Sequence, residues 1–451
     1  MKILRAIPSW ITSAVVALAL YFGVEWLFRQ GKLTIYWQQV CQMAGIMAIT
    51  SLGLNVIYGF NGQFSLGHIG FYAIGAYTSA LITKDWQTQW SGVRTGALAG
   101  VLALELALVM AGVVFMLLRV GRLQKRLRET LSRWLNQFEV GFLSFLVLAV
   151  ALIISMAVGI GVMKGVFAAL PGFLENLLGR LPAQMATQVV FFLALICGAL
   201  LASIVALIIG LPLLKLASDY FGIATLGFAM MVFSALQNAD KVIPTMKGAR
   251  GMVGIPRLTT WTWAFVLTVA VIIITRNLRY SSVGRAIVSV REDEIAAKAM
   301  GIDVARYKTL AFTIGALFAG LAGGLYAHLY TFLHPSTFNF IKGFDPLIII
   351  VFGGLGSITG TIVASAGWAF LLEGLRVLLP QGFEAWRFVI YPVLLLLIML
   401  LRPQGLFGGV ELGWLRPPKV VRREIPTPAV RPVEVVANPD KHSSESGGVA
   451  Q

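Results

Sequence analysis

Long apolar runs separated by short polar stretches organise this chain. Runs of spanning length occupy about 9–28, 38–58, 95–118, 141–163, 188–214, 260–276, 309–331 and 386–401, each near the roughly 20 residues a helix needs to cross a bilayer. Three further stretches, 64–83, 216–236 and 344–376, are less regular. The last is too long for one crossing and is interrupted by Gly353, Gly354 and Gly356, so it predicts a short crossing before the glycines and a longer one after them. The pattern therefore predicts an all-α polytopic membrane protein of about ten transmembrane helices, some of them broken or re-entrant.

One polar stretch stands apart. Residues 277–308 carry Arg279, Arg285, Arg291, Glu292, Asp293, Glu294, Lys298, Asp303, Arg306 and Lys308 in a chain that is 12% charged overall. A charge at mid-span costs roughly 2.5–3.5 kcal/mol on insertion scales, so this segment lies outside hydrocarbon. Its middle, from Arg291 to Met300, consists mostly of good helix formers and closes at Gly301, a natural C-terminal residue for a helix. A short cytoplasmic helix between two spans suits a permease that takes force from a soluble motor, although an ordinary basic inner loop has the same composition.

Charge also orients the spans. Arg119, Arg122, Lys125, Arg126, Arg128 and Arg133 form one basic cluster, the opening residues a second, and Arg402, Arg416, Lys419, Arg422 and Arg423 a third. With these clusters and 277–308 inside, the two crossings over 344–376 and one over 386–401 bring the C-terminus back inside. Residues 1–408 read as the membrane domain and 409–451, rich in Pro, Val, Ser and charge, as a largely disordered cytoplasmic tail. Within the domain, 119–137 forms an amphipathic basic segment suited to the headgroup layer, with Leu123, Leu127, Leu131, Trp134 and Leu135 on one face.

Composition agrees with this class. The 451 residues are 58% hydrophobic and carry a net charge of +16, with a mean hydropathy of +0.82. The basic residues sit in loops and the tail, where they meet anionic lipid; no aromatic-interleaved basic face points to nucleic acid. No GxxxxGK[ST] loop, HExxH, zinc-spaced Cys/His cluster or GxSxG elbow occurs, so the chain predicts no enzyme and no cofactor. Intramembrane carboxylates are scarce, Glu105 being the main exception, and it is expected to pair with a basic or hydroxyl group of a neighbouring helix, with a direct role in transport as the alternative. A stand-alone secondary transporter would carry several such groups. A chain with neither motor nor relay borrows its energy from a partner.

In Gly59-Phe60-Asn61-Gly62-Gln63-Phe64-Ser65, glycines and polar side chains stand where a span should continue. Non-helical backbone at membrane depth is tolerated only when it is buried in protein or lines a water-filled cavity. Asn61, Gln63, Ser65 and His68 are therefore candidates to line a translocation path, with a plain turn between two helices as the alternative. The small-residue runs Gly315-Ala316, Ala319-Gly320 and Ala322-Gly323-Gly324 predict close helix packing.

The run GFNGQFSLGHIGFYAIGAY (59–77) resembles the signature of permease subunits of branched-chain amino-acid ABC importers, the LivM-type family. DYFGIATLGFAMMVF (219–233), a Gly-rich loop ending in GIP (254–256), SVGRAIVSVREDEIAAKAMGID (282–303), FAGLAGGLYA (318–327), GFDPLIIIVFGGLGSITG (343–360) and LRPQGLFG (401–408) follow in that family's order. The resemblance covers roughly 35–83 and 200–410; residues 84–200 carry little of it. It implies a transmembrane subunit of the bacterial inner membrane that forms a translocation path for branched-chain or related neutral amino acids. Relatives that carry urea or another small polar solute are the alternative. It also implies a second homologous permease, two ABC ATPase subunits and an extracytoplasmic binding protein that sets most of the specificity. Glu294, Ala296, Ala297 and Gly301 resemble the E-x-A-A-x-x-x-G core of an ABC coupling helix, with Glu292 and Asp293 at its start. Lys247 and Arg250, in the loop 238–257, depart from the neutral or acidic residues common there and offer positive charge to the binding protein, with a solvated loop that meets no partner as the alternative.

Overall fold

The computed structural model describes residues 9–32, 34–89, 93–117, 137–214, 216 and 218–378, with isolated positions between 393 and 415, all within one compact unit. Residues 119–136 of the amphipathic segment, most of the expected 386–401 span and the tail from 416 onward lie outside the described residues. The helices are α1 (Ser9–Arg29), α2 (Ile35–Leu54), α3 (His68–Thr88), α4 (Gly96–Leu117), α5 (Gln137–Leu178), α6 (Ala183–Leu213), α7 (Ser218–Gln237), α8 (Trp261–Tyr280), α9 (Ser282–Glu292), α10 (Glu294–Ala299), α11 (Val304–Tyr330), α12 (Phe344–Gly353) and α13 (Ile358–Leu378). Helix α2 continues without a break into a π-helical turn, Asn55–Phe60. Two short strands, β1 (Met252–Val253) and β2 (Phe332–Leu333), pair antiparallel.

Seven helices among the described residues are long and apolar enough to cross a membrane. Leu106, Val109, Ile153, Met156, Ile208 and Met231 stand exposed on them, an outer surface that hydrocarbon accepts and water does not. The protein is an all-α multi-pass membrane protein.

At its centre α3, α6 and α11 meet backbone to backbone. Gly75 faces Gly320, and a Cβ at Gly198 would come within 2.8 Å of the Gly75 carbonyl oxygen. Between spans there is no hydrophobic drive, so association depends on such close packing. Beside this contact Phe71 packs on Phe228 and Phe312, with ring centroids 4.8 and 5.4 Å away.

Two elements differ from the sequence pattern. The span expected at 141–163 is part of a helix of 42 residues, about 63 Å at 1.5 Å per residue. Its far turns dock sideways, where the Pro171 carbonyl accepts from Thr95 Oγ1 at 3.2 Å and Glu175 accepts from the Arg94 amide at 2.9 Å. The short crossing expected before Gly353 is the ten-residue α12, about 15 Å long and so half a bilayer core. The chain before it, 331–343, holds β2 and a 3-10 turn over Pro335–Phe338.

Glu105, in α4, is buried with its Oε1 lacking a hydrogen-bond partner among the described residues; the expected pairing is not made by that atom.

Candidate functional site

The π turn, the glycine turn Gly353–Ser357 and the segment 277–308 converge at one end of the bundle, the charged end. Asn55 is the hub. It is fully buried, donates from Nδ2 to the Ser357 carbonyl and to Thr361 Oγ1, both at 3.1 Å, and accepts from the Gly356 amide at 2.9 Å. One amide side chain thereby ties α2 to the turn joining α12 and α13. Space explains the neighbouring residue types: a Cβ on Gly59 would overlap Asn55 Oδ1, and Gly356 has φ +80°, a conformation that glycine adopts at no steric cost.

The same turn is held from the C-terminal side. Leu406 and Phe407 donate backbone hydrogen bonds to Phe352 and Gly353 carbonyls at 2.9 and 3.3 Å. The Glu411 carboxylate accepts from the Ile358 and Thr359 amides at 2.7 and 2.9 Å. It thus caps the N-terminus of α13, where a negative charge complements the positive end of the helix dipole.

Arginines complete the junction. Arg291 Nη1 donates to the Gly59 carbonyl, an acceptor at the end of the π turn, and Arg279 sits over the Phe60 ring at 4.6 Å. The LRPQGLFG and GGLGS motifs, the π turn and the charged segment are therefore one structure.

The charged segment itself is two helices. The expected continuous helix from Arg291 to Met300 is broken at Asp293 (φ −160°, ψ 112°), whose carboxylate accepts from the Ile295 and Ala296 amides at 2.7 and 3.0 Å. Aspartate is a strong N-cap, so it ends α9 and starts α10. At the other end the Ile302 amide bonds to the Ala297 carbonyl and the Gly301 amide to that of Lys298, each at 3.0 Å. With Gly301 at φ +80°, this is a Schellman stop. Glu292, Asp293, Glu294, Ala296 and Gly301 are exposed, whereas Ala297 is buried against Val290 and Val304. Glu294 also pairs with Lys308.

The non-helical stretch 61–67 runs from this end back into the bundle. The Leu66 amide donates to Thr225 Oγ1 at 3.1 Å, and His68 Nε2 lies 2.9 Å from the Thr50 carbonyl. Asn61 and Gln63 line a small cleft with Glu294 and Lys308. The side chains of Asn61 and Ser65, Gln63 Oε1 and His68 Nδ1 are buried without hydrogen-bond partners among the described residues. Buried polar atoms are almost always paired, so this cluster is unusual.

At the opposite, far end, β1 and β2 clamp the loop 238–257. Lys247 and Arg250 are exposed there, and Lys84 Nζ donates to the Val253 carbonyl at 2.9 Å. Lys84 adds a third cation to this face, one that its position near the end of an apolar run had hidden.

Sequence reasoning also missed two carboxylates, Asp345 and Glu373. Asp345 pairs with Lys342 at 3.7 Å, and Glu373 accepts from the Tyr36 hydroxyl. Each is a single acid within the apolar stretch 344–376, and neither alone marks a site.

Residues 37–129 and 133–400 match the family described as branched-chain amino acid transport system / permease component. Among similar proteins, the high-affinity branched-chain amino acid transport system permease protein LivM of Escherichia coli K12 is 27% identical over 421 residues, 86% of this chain and 73% of the relative. The corresponding LivH of Salmonella typhimurium is 27% identical over 210 residues, 46% of this chain and 65% of the relative. A probable branched-chain amino acid transport permease protein LivM of Methanocaldococcus jannaschii is 27% identical over 239 residues, covering 48% and 68%. No solved structure matches this chain.

Proposed function

The chain belongs to the branched-chain amino acid transport permease family, and from that premise we propose that it forms the translocation path for branched-chain or related neutral amino acids in an ATP-driven importer of the inner membrane. As a family member it is a permease component that works with other subunits, not an enzyme. The proposed partners are a second homologous permease, two ABC ATPases and an extracytoplasmic binding protein, with the charged end and the tail facing the cytosol.

The observation that carries the coupling is the Arg291 contact with Gly59. Helices α9 and α10 project from the spans at the charged end, with Ile295 and Met300 each 81% exposed. Apolar side chains left in water on so charged a segment suit a partner's cleft. Behind them Ala297 packs inward, so a partner touches Ala296 of that pair. Motion of α9 reaches the membrane through Arg291, which holds the π turn, and so reaches Asn55 and the floor of the bundle. Asn61, Gln63, Ser65 and His68 line the path beyond that floor. Their unpaired polar atoms suit a solute or water in transit. At the far end Lys84, Lys247 and Arg250 face the binding protein.

Co-purification of the full chain with an ATPase pair, followed by ATP-dependent uptake of leucine into proteoliposomes with the cognate binding protein, tests this reading. Transport of urea but not of leucine would assign the alternative substrate. Ion-driven transport by the chain alone would overturn the coupling.

A further inference from the structure

Two adjoining cavities of about 170 and 210 Å³ run along α2 from Tyr36 and Gln39, near its far end, to Thr50 and Ser51. They share Met43, Met47 and Glu373, so they form one trench. Each volume is well above the roughly 10–15 Å³ that a water needs. The trench ends one turn above Asn55, whose three hydrogen bonds close the floor.

Its depth gives it meaning. Gly343 lies against Ile69, and Phe338 packs between Tyr72 and Tyr77, so the chain before α12 is anchored in the bundle at these two positions, while Phe340, Ile341 and Lys342 are exposed. Non-helical backbone at membrane depth requires protein cover or a wet cavity. Lys342 and Asp345 line the trench at this level, and their 3.7 Å separation exceeds the 2.7–2.9 Å of a committed charge-assisted pair. Glu373 enters from α13 and Tyr72 from α3. Ser51 is fully buried, and its Oγ has no partner among the described residues. Met47, Ile69 and Ile349 form an apolar wall.

A cation and two carboxylates beside aliphatic side chains match a zwitterion with an aliphatic tail. We propose that this trench is a binding site for the transported amino acid inside the permease. The solute carboxylate meets Lys342 at the N-terminus of α12, its ammonium meets Asp345 and Glu373, and its side chain lies against the apolar wall. Half-helix termini at mid-membrane are suited to such a carboxylate. The assignment rests on the amino-acid import reading above and adds the site to it.

The test uses the full chain with its co-purifying subunits, without binding protein, and with Cys41 and Cys197 replaced. Ser51→Cys, close in size to the native residue, is labelled with a small membrane-impermeant thiol reagent. Millimolar L-leucine should slow labelling at least tenfold, whereas leucinol, lacking the carboxylate, and 4-methylpentanoate, lacking the ammonium, should not. Lys342→Gln and Asp345→Asn should each abolish protection and lower leucine uptake at saturating binding protein at least tenfold. A Ser51→Cys that never reacts, or reacts equally with leucine present, overturns the site even if the charge variants fail to reach the membrane. Normal leucine uptake by both charge variants also overturns it. An unmodified transporter that imports no leucine instead removes the import reading, which separates the two failures.

Discussion

Replacing Asn55 with alanine removes three hydrogen bonds in a fully buried junction. Thr361 still donates to the Ser357 carbonyl, at 2.7 Å, so the main orphan is the Gly356 amide. An unsatisfied buried donor costs about 1–3 kcal/mol and each of the other two lost bonds about 0.5–1.5 kcal/mol net, giving roughly 2–6 kcal/mol against the closed floor. At 1.4 kcal/mol per factor of ten, the balance between closed and open floor shifts by about 30-fold to over 10,000-fold. The assay is the number of ATP molecules hydrolysed per leucine imported by the reconstituted complex, together with passive leucine efflux without ATP. Asn55→Ala should raise both. The control is Thr83→Val, which breaks the buried 2.8 Å contact with His328 near the far end of α3. That change leaves the buried His328 Nε2 unpaired, a cost of about 1–3 kcal/mol placed away from the floor, so coupling should stay at the wild-type ratio. Equal effects from the two variants would refute the latch and leave only general destabilisation.

Three further outcomes are expected. Gly301→Val should uncouple hydrolysis from transport while insertion stays intact. No atom lies within 4 Å of the added Cβ, so the cost is conformational, about 1–2 kcal/mol or more for a β-branched residue at positive φ; Gly301→Asn, tolerant of that region, should retain most coupling, and normal transport by the valine variant would remove Gly301 from the coupling assignment. Single cysteines at Asn61, Gln63, Ser65 and His68 should react with impermeant thiol reagents at rates that differ between nucleotide-free and ATP-trapped states; labelling absent, or equal in both states, at all four would mark a packed turn. Lys247→Glu with Arg250→Glu should slow uptake at low binding-protein concentration and recover at saturation, because exposed charges chiefly tune encounter and contribute about 1 kcal/mol or less each; a maximal rate that stays low would place them in the pathway.

What the sequence made legible was whatever repeats or stops locally. Apolar run length gave the spans, and Gly301 gave the end of α10. Asp293 could have been read as a cap, but an unbroken stretch of helix formers masked it. The π turn at 55–60 left no periodic mark, because its cause is the fit of Asn55 against a turn about 300 residues away. Glu411 sits in a segment that changes character after Arg402, and nothing nearby tells that its carboxylate closes α13. Run length also failed for α12, where a Gly-interrupted apolar stretch fits a full crossing and a half crossing equally well. Asp345 and Glu373 were overlooked for a related reason: a lone acid in apolar sequence becomes informative only when the fold places a second acid and Lys342 beside it.

The placement of these groups along α2 bears on how the proposed coupling works. From the far end inward, one helix carries Met43, Met47 and Ser51 on the trench, Asn55 on the floor and Gly59 at Arg291. The residues from Met43 to Gly59 span about 24 Å at 1.5 Å each, and they form one continuous helical element with the π turn at its base. A ligand changes a conformational balance only by differing in affinity for the two states. A solute in the trench and a motor on α10 can therefore act on each other only through an element that both contact in different ways. Helix α2 meets that condition directly at its trench face and through Arg291 at its base. On this reasoning Arg291→Gln should weaken stimulation of ATP hydrolysis by loaded binding protein while leaving leucine protection of a Ser51→Cys thiol unchanged. Loss of both would mean that Arg291 shapes the trench itself, and retention of full stimulation would mean that force enters the membrane elsewhere.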